Sequence, residues 1–217
     1  MLYHPHGMFS WGFLNAGAWN SFYYKNGVVG LVADALCHAP VFRFWFVQML
    51  GGLGPASKGE FVKLLKARRS FGLIPGGFHE ATIAERGTDR VFLRKRKGFV
   101  KYALQHGYSL TPVYTFGESE TYSNPSGFWN ARWALNDWKI PAILPFGRWF
   151  FPLLPKAVEL HTVGGSPLRL PRIEEPTAEQ VDEWHAKYVT HLKALFDEHK
   201  AEFGKASGSD KRELEIW

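Results

Sequence analysis

Lys97-Gly98-Phe99-Val100-Lys101-Tyr102-Ala103-Leu104-Gln105-His106-Gly107-Tyr108-Ser109-Leu110-Thr111-Pro112-Val113-Tyr114-Thr115-Phe116 is the stretch that decides the fold. Residues 97–106 read as a helix, Gly107 as its stop, and 108–116 as a strand. The same alternation continues outward. Upstream, 71–74 read as a strand stopped by Pro75-Gly76-Gly77, and Ser57-Lys58-Gly59-Glu60 has the capping-box spacing that opens a helix over 61–69. Residues 28–33 read as a short buried strand and Leu2-Tyr3 as the end of another. Residues 8–19 could form a helix after a tight turn, and 42–50 an aromatic helix or interfacial segment. Downstream, 158–163 read as a strand. Thr177-Ala178-Glu179-Gln180 is a second capping box, and the helix behind it buries Val181, Trp184, Tyr188, Leu192, Leu195, Phe196 and Phe203. Strands alternating with helices predict an α/β fold, a single layered domain with a mixed sheet flanked by helices. It covers 1–203. Residues 204–217 read as a flexible tail.

Composition narrows the class. The chain has 217 residues, 46% hydrophobic and 21% charged, which suits one globular domain and excludes a disordered or fibrous chain. One cysteine excludes an internal disulfide and suits a reducing compartment. A net charge of +6 favours anionic partners. Aromatic residues, at 16%, are the kind favoured at wet apolar boundaries. No stretch reads as a membrane span, which needs roughly 20 mostly apolar residues. The lipid-like stretches 44–50 and 140–155 fail, one by length and the other by four prolines and Arg148. No signal peptide is recognised.

Four constellations could carry chemistry. His4-Pro5-His6-Gly7 presents an imidazole rigidly at a strand-to-helix junction, since proline restricts its neighbour and glycine permits a tight turn. The plain alternative is two ordinary loop histidines; another is a zinc pair, whose next candidate ligands are Asp34 and His38. In Ile74-Pro75-Gly76-Gly77-Phe78-His79-Glu80, a strand runs into a turn whose amides could hold an oxyanion and which presents a carboxylate. A surface turn reads equally well. Arg90, Arg94, Lys95, Arg96, Lys97 and Lys101 form either a solvated face or a patch for phosphate or anionic lipid. Aromatic residues do not interleave that patch, which argues against nucleic acid. Phe116-Gly117-Glu118 closes a strand, either as a turn or lining the same cleft as His6.

Together these pieces resemble the type-2 diacylglycerol acyltransferase family, which includes monoacylglycerol and wax-alcohol acyltransferases. The resemblance rests on Tyr3-His4-Pro5-His6-Gly7, 51–57, Pro75-Gly76-Gly77 with Glu80, 96–103 through Phe116-Gly117-Glu118, 163–167 and the 188–200 helix, in order. It implies a fold similar to glycerolipid acyltransferases, and an O-acyltransferase that moves a fatty acyl group from acyl-CoA to diacylglycerol or a related lipid alcohol. His6 would be the general base and Glu80 would orient its ring. His4, Gly7, Gly76, Gly77, Arg94, Arg96, Lys97, Phe116 and Glu118 would contact substrate or acyl-CoA. No cofactor is implied, acyl-CoA being a co-substrate. A nucleophilic Ser10 is the alternative to direct transfer. The broader acyltransferases carry an aspartate five residues after the histidine; here Trp11 stands there. The resemblance also implies a membrane-embedded segment and a fuller strand upstream of Met1, and a setting at the cytosolic face of the endoplasmic reticulum or the lipid droplet, with 149–154 in the headgroup boundary. Two other classes compete: a metal-dependent hydrolase built on His4, His6 and His38 or His79, and a non-catalytic lipid-binding module.

Overall fold

The computed structural model describes residues 1–18, 25–40, 43–44, 52–138, 142–151 and 154–217. The expected segment 42–50 therefore lies outside the described residues, apart from Arg43 and Phe44. In chain order the main elements are β1 (Leu2–His4), α1 (Trp11–Phe13), β2 (Val29–Val32), α2 (Asp34–His38), β3 (Leu53–Pro55), α3 (Lys58–Lys66), β4 (Phe71–Gly72) and α4 (Gly77–Ile83). There follow β5 (Arg90–Val91), α5 (Gly98–His106), β6 (Ser109–Leu110), β7 (Pro112–Phe116), α6 (Trp129–Asp137), β8 (His161–Gly164), β9 (Leu168–Arg169), α7 (Ala178–Phe203) and β10 (Glu215–Ile216).

The helix–glycine–strand unit folds as its sequence predicts, with Gly107 left-handed at the end of α5. The strand splits at Thr111: β6 pairs with β9, whereas β7 pairs with β1 and β8. β7 is parallel to β1 and antiparallel to β8, while β2 is parallel to both β3 and β4. A parallel bridge between Leu2 and Leu73 joins the two three-stranded sheets, giving the order β3-β2-β4-β1-β7-β8. The mixed sheet flanked by helices is thus present.

Side chains alternate across it, as the twofold period of a strand requires. Leu2, Tyr114 and Phe116 face the core that α7 closes with Tyr188, Leu192 and Phe196. Tyr3 and Val113 face the other way, toward Phe13 and Leu53. The Thr177–Gln180 capping box starts α7 as predicted. Ser57 caps α3 by accepting from the Glu60 amide, but the Glu60 carboxylate turns to Lys63.

Two expectations are corrected. The predicted helix over 8–19 is a short α1 followed by a π-turn, Leu14–Ala18. Residues 204–217 are not a free tail. Leu214 is buried, β10 pairs with β5, and Arg212 forms ion pairs with Asp89 and Glu120. The segment's small and charged residues suggested fraying; in fact they serve a buried polar network.

Candidate active site

β4, β1 and β7 run parallel side by side, so their carboxyl ends lie at one edge of the sheet. The chain leaves β1 toward β2 on one flank and returns through β7 on the other. A crevice at such a change of direction is the usual ligand position in α/β sheets. The three loops leaving this edge are the three motifs singled out in the sequence: His4–Gly7 after β1, Ile74–Glu80 after β4, and Gly117-Glu118 after β7.

His6 is partly exposed. Its Nδ1 lies 3.0 Å from the Gly7 carbonyl and 3.2 Å from Ser10 Oγ, and that hydroxyl donates to the His6 carbonyl at 3.0 Å. A carbonyl only accepts, so Nδ1 carries the proton and Nε2 keeps the lone pair. Burial pushes the His6 pKa down, against the opposing effect of the Gly7 carbonyl. The ring is therefore neutral at neutral pH. Ser10 spends its proton on a main-chain carbonyl, a poor arrangement for a nucleophile.

Glu80 does not hold the imidazole. Its Oε1 accepts the His6 backbone N–H at 2.5 Å and its Oε2 the Phe92 N–H at 2.8 Å. The expectation that Glu80 orients the ring is corrected: it grips the peptide that carries the ring. Glu118 does the same on the other flank, accepting from Trp11 N–H at 3.1 Å and Gly12 N–H at 2.7 Å. Both carboxylates are 1% exposed, and neither joins an ion pair among the described residues. Burial pushes each up to about 7, against the pull of these amides. The loop that carries His6 is thus pinned at both ends by buried carboxylates from two other strands' loops.

This clamp explains two of the glycines. Gly7 has φ of 57°, and a Cβ there would overlap the Glu118 carboxylate. A Cβ on Gly76 would overlap Glu80. Gly77 has φ of 54° and open space beside it.

The remaining candidates separate. His4 is 1% exposed, its Nε2 lies 2.9 Å from the Tyr188 hydroxyl, and its Nδ1 has no hydrogen-bond partner among the described residues. Burial pushes it down to about 3. It is a packed, neutral link between β1 and α7. Phe116 is wholly buried between Tyr114 and Phe196, so the expected substrate contact is corrected to a core position. Arg96 turns inward, donating to His79 Nδ1 at 2.7 Å, and Lys97 pairs with Asp182 of α7 at 2.6 Å. Arg94 and Lys95 are exposed. The histidines named for a metal hydrolase have separate engagements: His38 with the Asp34 carbonyl, His79 stacked on Phe92. Among the described residues no three His, Cys, Asp or Glu side chains converge.

Sequence reasoning missed Tyr188 as the His4 partner and the Phe92 amide as half of the Glu80 site. Tyr188 reads as one more core aromatic on a long helix, and a backbone amide has no side-chain signature.

The sequence that builds this fold and site matches a known family. The diacylglycerol acyltransferase family model matches residues 1–214, and the chain belongs to that family. It is 35% identical to diacylglycerol O-acyltransferase 2 of Danio rerio, over 93% of this chain and 61% of that protein. It is 36% identical to 2-acylglycerol O-acyltransferase 3 of Homo sapiens, over 93% of this chain and 64% of that protein. The chain thus spans about three fifths of the length of these curated relatives. No solved structure gives a significant match.

Proposed function

We propose that the chain is an acyl-CoA-dependent O-acyltransferase that transfers a fatty acyl group to the hydroxyl of diacylglycerol, yielding triacylglycerol. The observation that carries this reading is the pinned loop presenting a neutral His6, whose Nε2 accepts no hydrogen bond among the described residues, at the sheet's switch point. The acceptor hydroxyl gives its proton to Nε2 as its oxygen attacks the thioester carbonyl. Backbone N–H groups near Gly7, on the same loop, or of Gly76-Gly77, on the loop after β4, meet the developing oxyanion. The C–S bond then breaks and the imidazolium returns the proton to the CoA thiolate, which conserves every proton and needs no cofactor. Arg94 and Lys95 face the CoA phosphates from the surface. Relatives named for 2-acylglycerol support monoacylglycerol as the alternative acceptor.

The test offers labelled oleoyl-CoA with diacylglycerol, monoacylglycerol and hexadecanol separately. Ester formed with diacylglycerol supports the reading. Ester formed only with another acceptor reassigns the substrate. No ester with any of them from folded protein removes it.

Activity should rise with pH through about 7, the value to which burial pushes Glu80 and Glu118. Each ionised carboxylate accepts two amides; a protonated one turns a donor toward one of them and loosens the loop. His6 is already neutral there, because burial lowers its pKa. A kcat–pH profile of the Glu80→Gln/Glu118→Gln double variant without this rise, beside a wild type that has it, assigns the limb to the two carboxylates. The same limb in both reassigns it to another group.

The membrane surface is the proposed setting, at the cytosolic face of the endoplasmic reticulum or on a lipid droplet. Phe128, Trp138 and Trp149 are 87%, 76% and 78% exposed, with Leu144, Phe151 and Leu154 also outside. Arg132 and Asn124 hold this region by bonds to the Ala142 carbonyl and the Leu144 amide. Arg148 lies over the Trp149 ring at 4.7 Å, and Lys156 follows. Rigid, outward aromatic side chains with nearby cations suit an anionic bilayer interface. No helix among the described residues is long and apolar enough to cross a membrane. Replacing Trp138 and Trp149 by serine should weaken binding to anionic vesicles about tenfold or more. Unchanged sedimentation with vesicles would remove this surface from the proposal.

A further inference from the structure

The Glu80 carboxylate has two donors, and the second, the Phe92 amide, belongs to a segment that would otherwise be an exposed edge. Residues 89–94 lie between that carboxylate on one side and the C-terminal strand on the other. Peptide groups along a strand point alternately to its two sides. Accordingly the Asp89 and Val91 carbonyls accept from the Glu215 and Trp217 amides, both at 2.9 Å, and the Leu93 amide donates to the Trp217 main-chain oxygen at 2.9 Å. The Phe92 amide points the opposite way, to Glu80.

The strand β10 is itself held by a buried polar lock. Asp89, 3% exposed, accepts from the Tyr114 hydroxyl at 2.8 Å and from Ser209 Oγ at 3.1 Å. Arg212 reaches Asp89 at 3.4 Å, Glu120 at 3.0 Å and the Ser207 carbonyl at 2.8 Å. Tyr114 stands on β7 and Glu120 two residues beyond Glu118, so the lock is tied to both flanks of the site.

We propose that Arg212 and the strand that follows it are positioning elements for His6. The path is continuous: Arg212 and β10 fix residues 89–94, the Phe92 amide fixes Glu80, and Glu80 fixes the His6 peptide. Among the described residues, no hydrogen bond or ion pair joins a member of this path beyond Glu80 to the loop that carries the imidazole. The inference rests on the acyl-transfer reading only for its kinetic arm.

The test compares wild type with Arg212→Ala, Arg212→Lys and the exposed control Lys211→Ala. Amide hydrogen exchange reads the geometry and steady-state kinetics read the chemistry. In Arg212→Ala, protection of the Phe92 and His6 amides should fall about tenfold or more while the amides of α7 keep theirs. kcat should fall by a similar factor with KM for acyl-CoA unchanged, the signature of a misplaced group rather than lost binding. Arg212→Lys should recover part of both, and Lys211→Ala should match wild type. Unaltered exchange at Phe92 and His6, or exchange that rises there with kcat intact, overturns the proposal. If Arg212→Ala does not fold, the same two amides are read in Arg212→Lys. A wild type without acyl transfer would defeat the proposed function, and the exchange arm would still decide the brace.

Discussion

On the proposed acyl-transfer reading, replacing His6 by alanine should lower the rate by about a thousandfold, the middle of the range for loss of a general base. The protein should remain folded. His6 is only partly buried, and its ring bonds go to the Gly7 carbonyl and to the Ser10 hydroxyl, which keeps the His6 carbonyl as its acceptor. The two carboxylates that hold the loop bind its peptide groups, and alanine supplies the same amide to Glu80. The loss should therefore appear in kcat, with KM and the thermal midpoint close to wild type. His4→Ala should behave differently, because His4 fills a buried site against Tyr188. A His6→Ala protein that retains transfer would move the base elsewhere. One that fails to fold would mean that the ring, not its peptide, holds the loop.

The second large effect is at Glu80. Glutamine has nearly the shape of glutamate but only one acceptor oxygen. Whichever way it is turned, its NH2 group faces either the His6 or the Phe92 amide, donor against donor. The loop should shift or loosen, and a displacement near 1 Å at a reacting group can cost about a hundredfold in rate. Stability should change little, by about 1 kcal/mol or less. The lost hydrogen bond is offset by removing a carboxylate that burial has already made costly to ionise. A rate loss of tenfold or more at near-constant denaturation midpoint is the expected result. Full activity would show that the amide clamp does not set the position of the base. Collapse of the fold would show that Glu80 is foremost a structural residue.

Much of the architecture was legible because it is local. The helix 98–106 with its terminal glycine, the capping box at 177–180 and the apolar spacing of the long helix each need only a few neighbouring residues; the first two appear as read, and the long helix buries Val181, Tyr188, Leu192, Leu195 and Phe196 as expected, with Trp184 and Phe203 only partly buried. The three site motifs were also legible as motifs, and their convergence follows from parallel strands. What failed depends on distant partners. Glu80 was read as a partner of the imidazole because a carboxylate near a histidine suggests a triad; its actual partners are two backbone amides, which no sequence pattern marks. Phe116 was read with the turn it precedes, although its side chain belongs to the opposite, core-facing side of the strand. Arg96 and Lys97 were read as one patch with Arg94, yet adjacent residues point in different directions, and only the packing of His79 and Asp182 decides which of them remain on the surface. The segment 204–217 looked unstructured because its stability comes from Asp89, Tyr114 and Glu120, far upstream.

Gripping the loop through its amides makes scaffold and chemistry separable at position 6. The two carboxylates form a socket for a main chain, indifferent to the side chain seated there. A variant without the imidazole keeps the pinned loop and lacks only the ring. On the proposed acyl-transfer reading, such a protein should trap the unreacted ternary complex, in which donor and acceptor can be seen together before the ester forms.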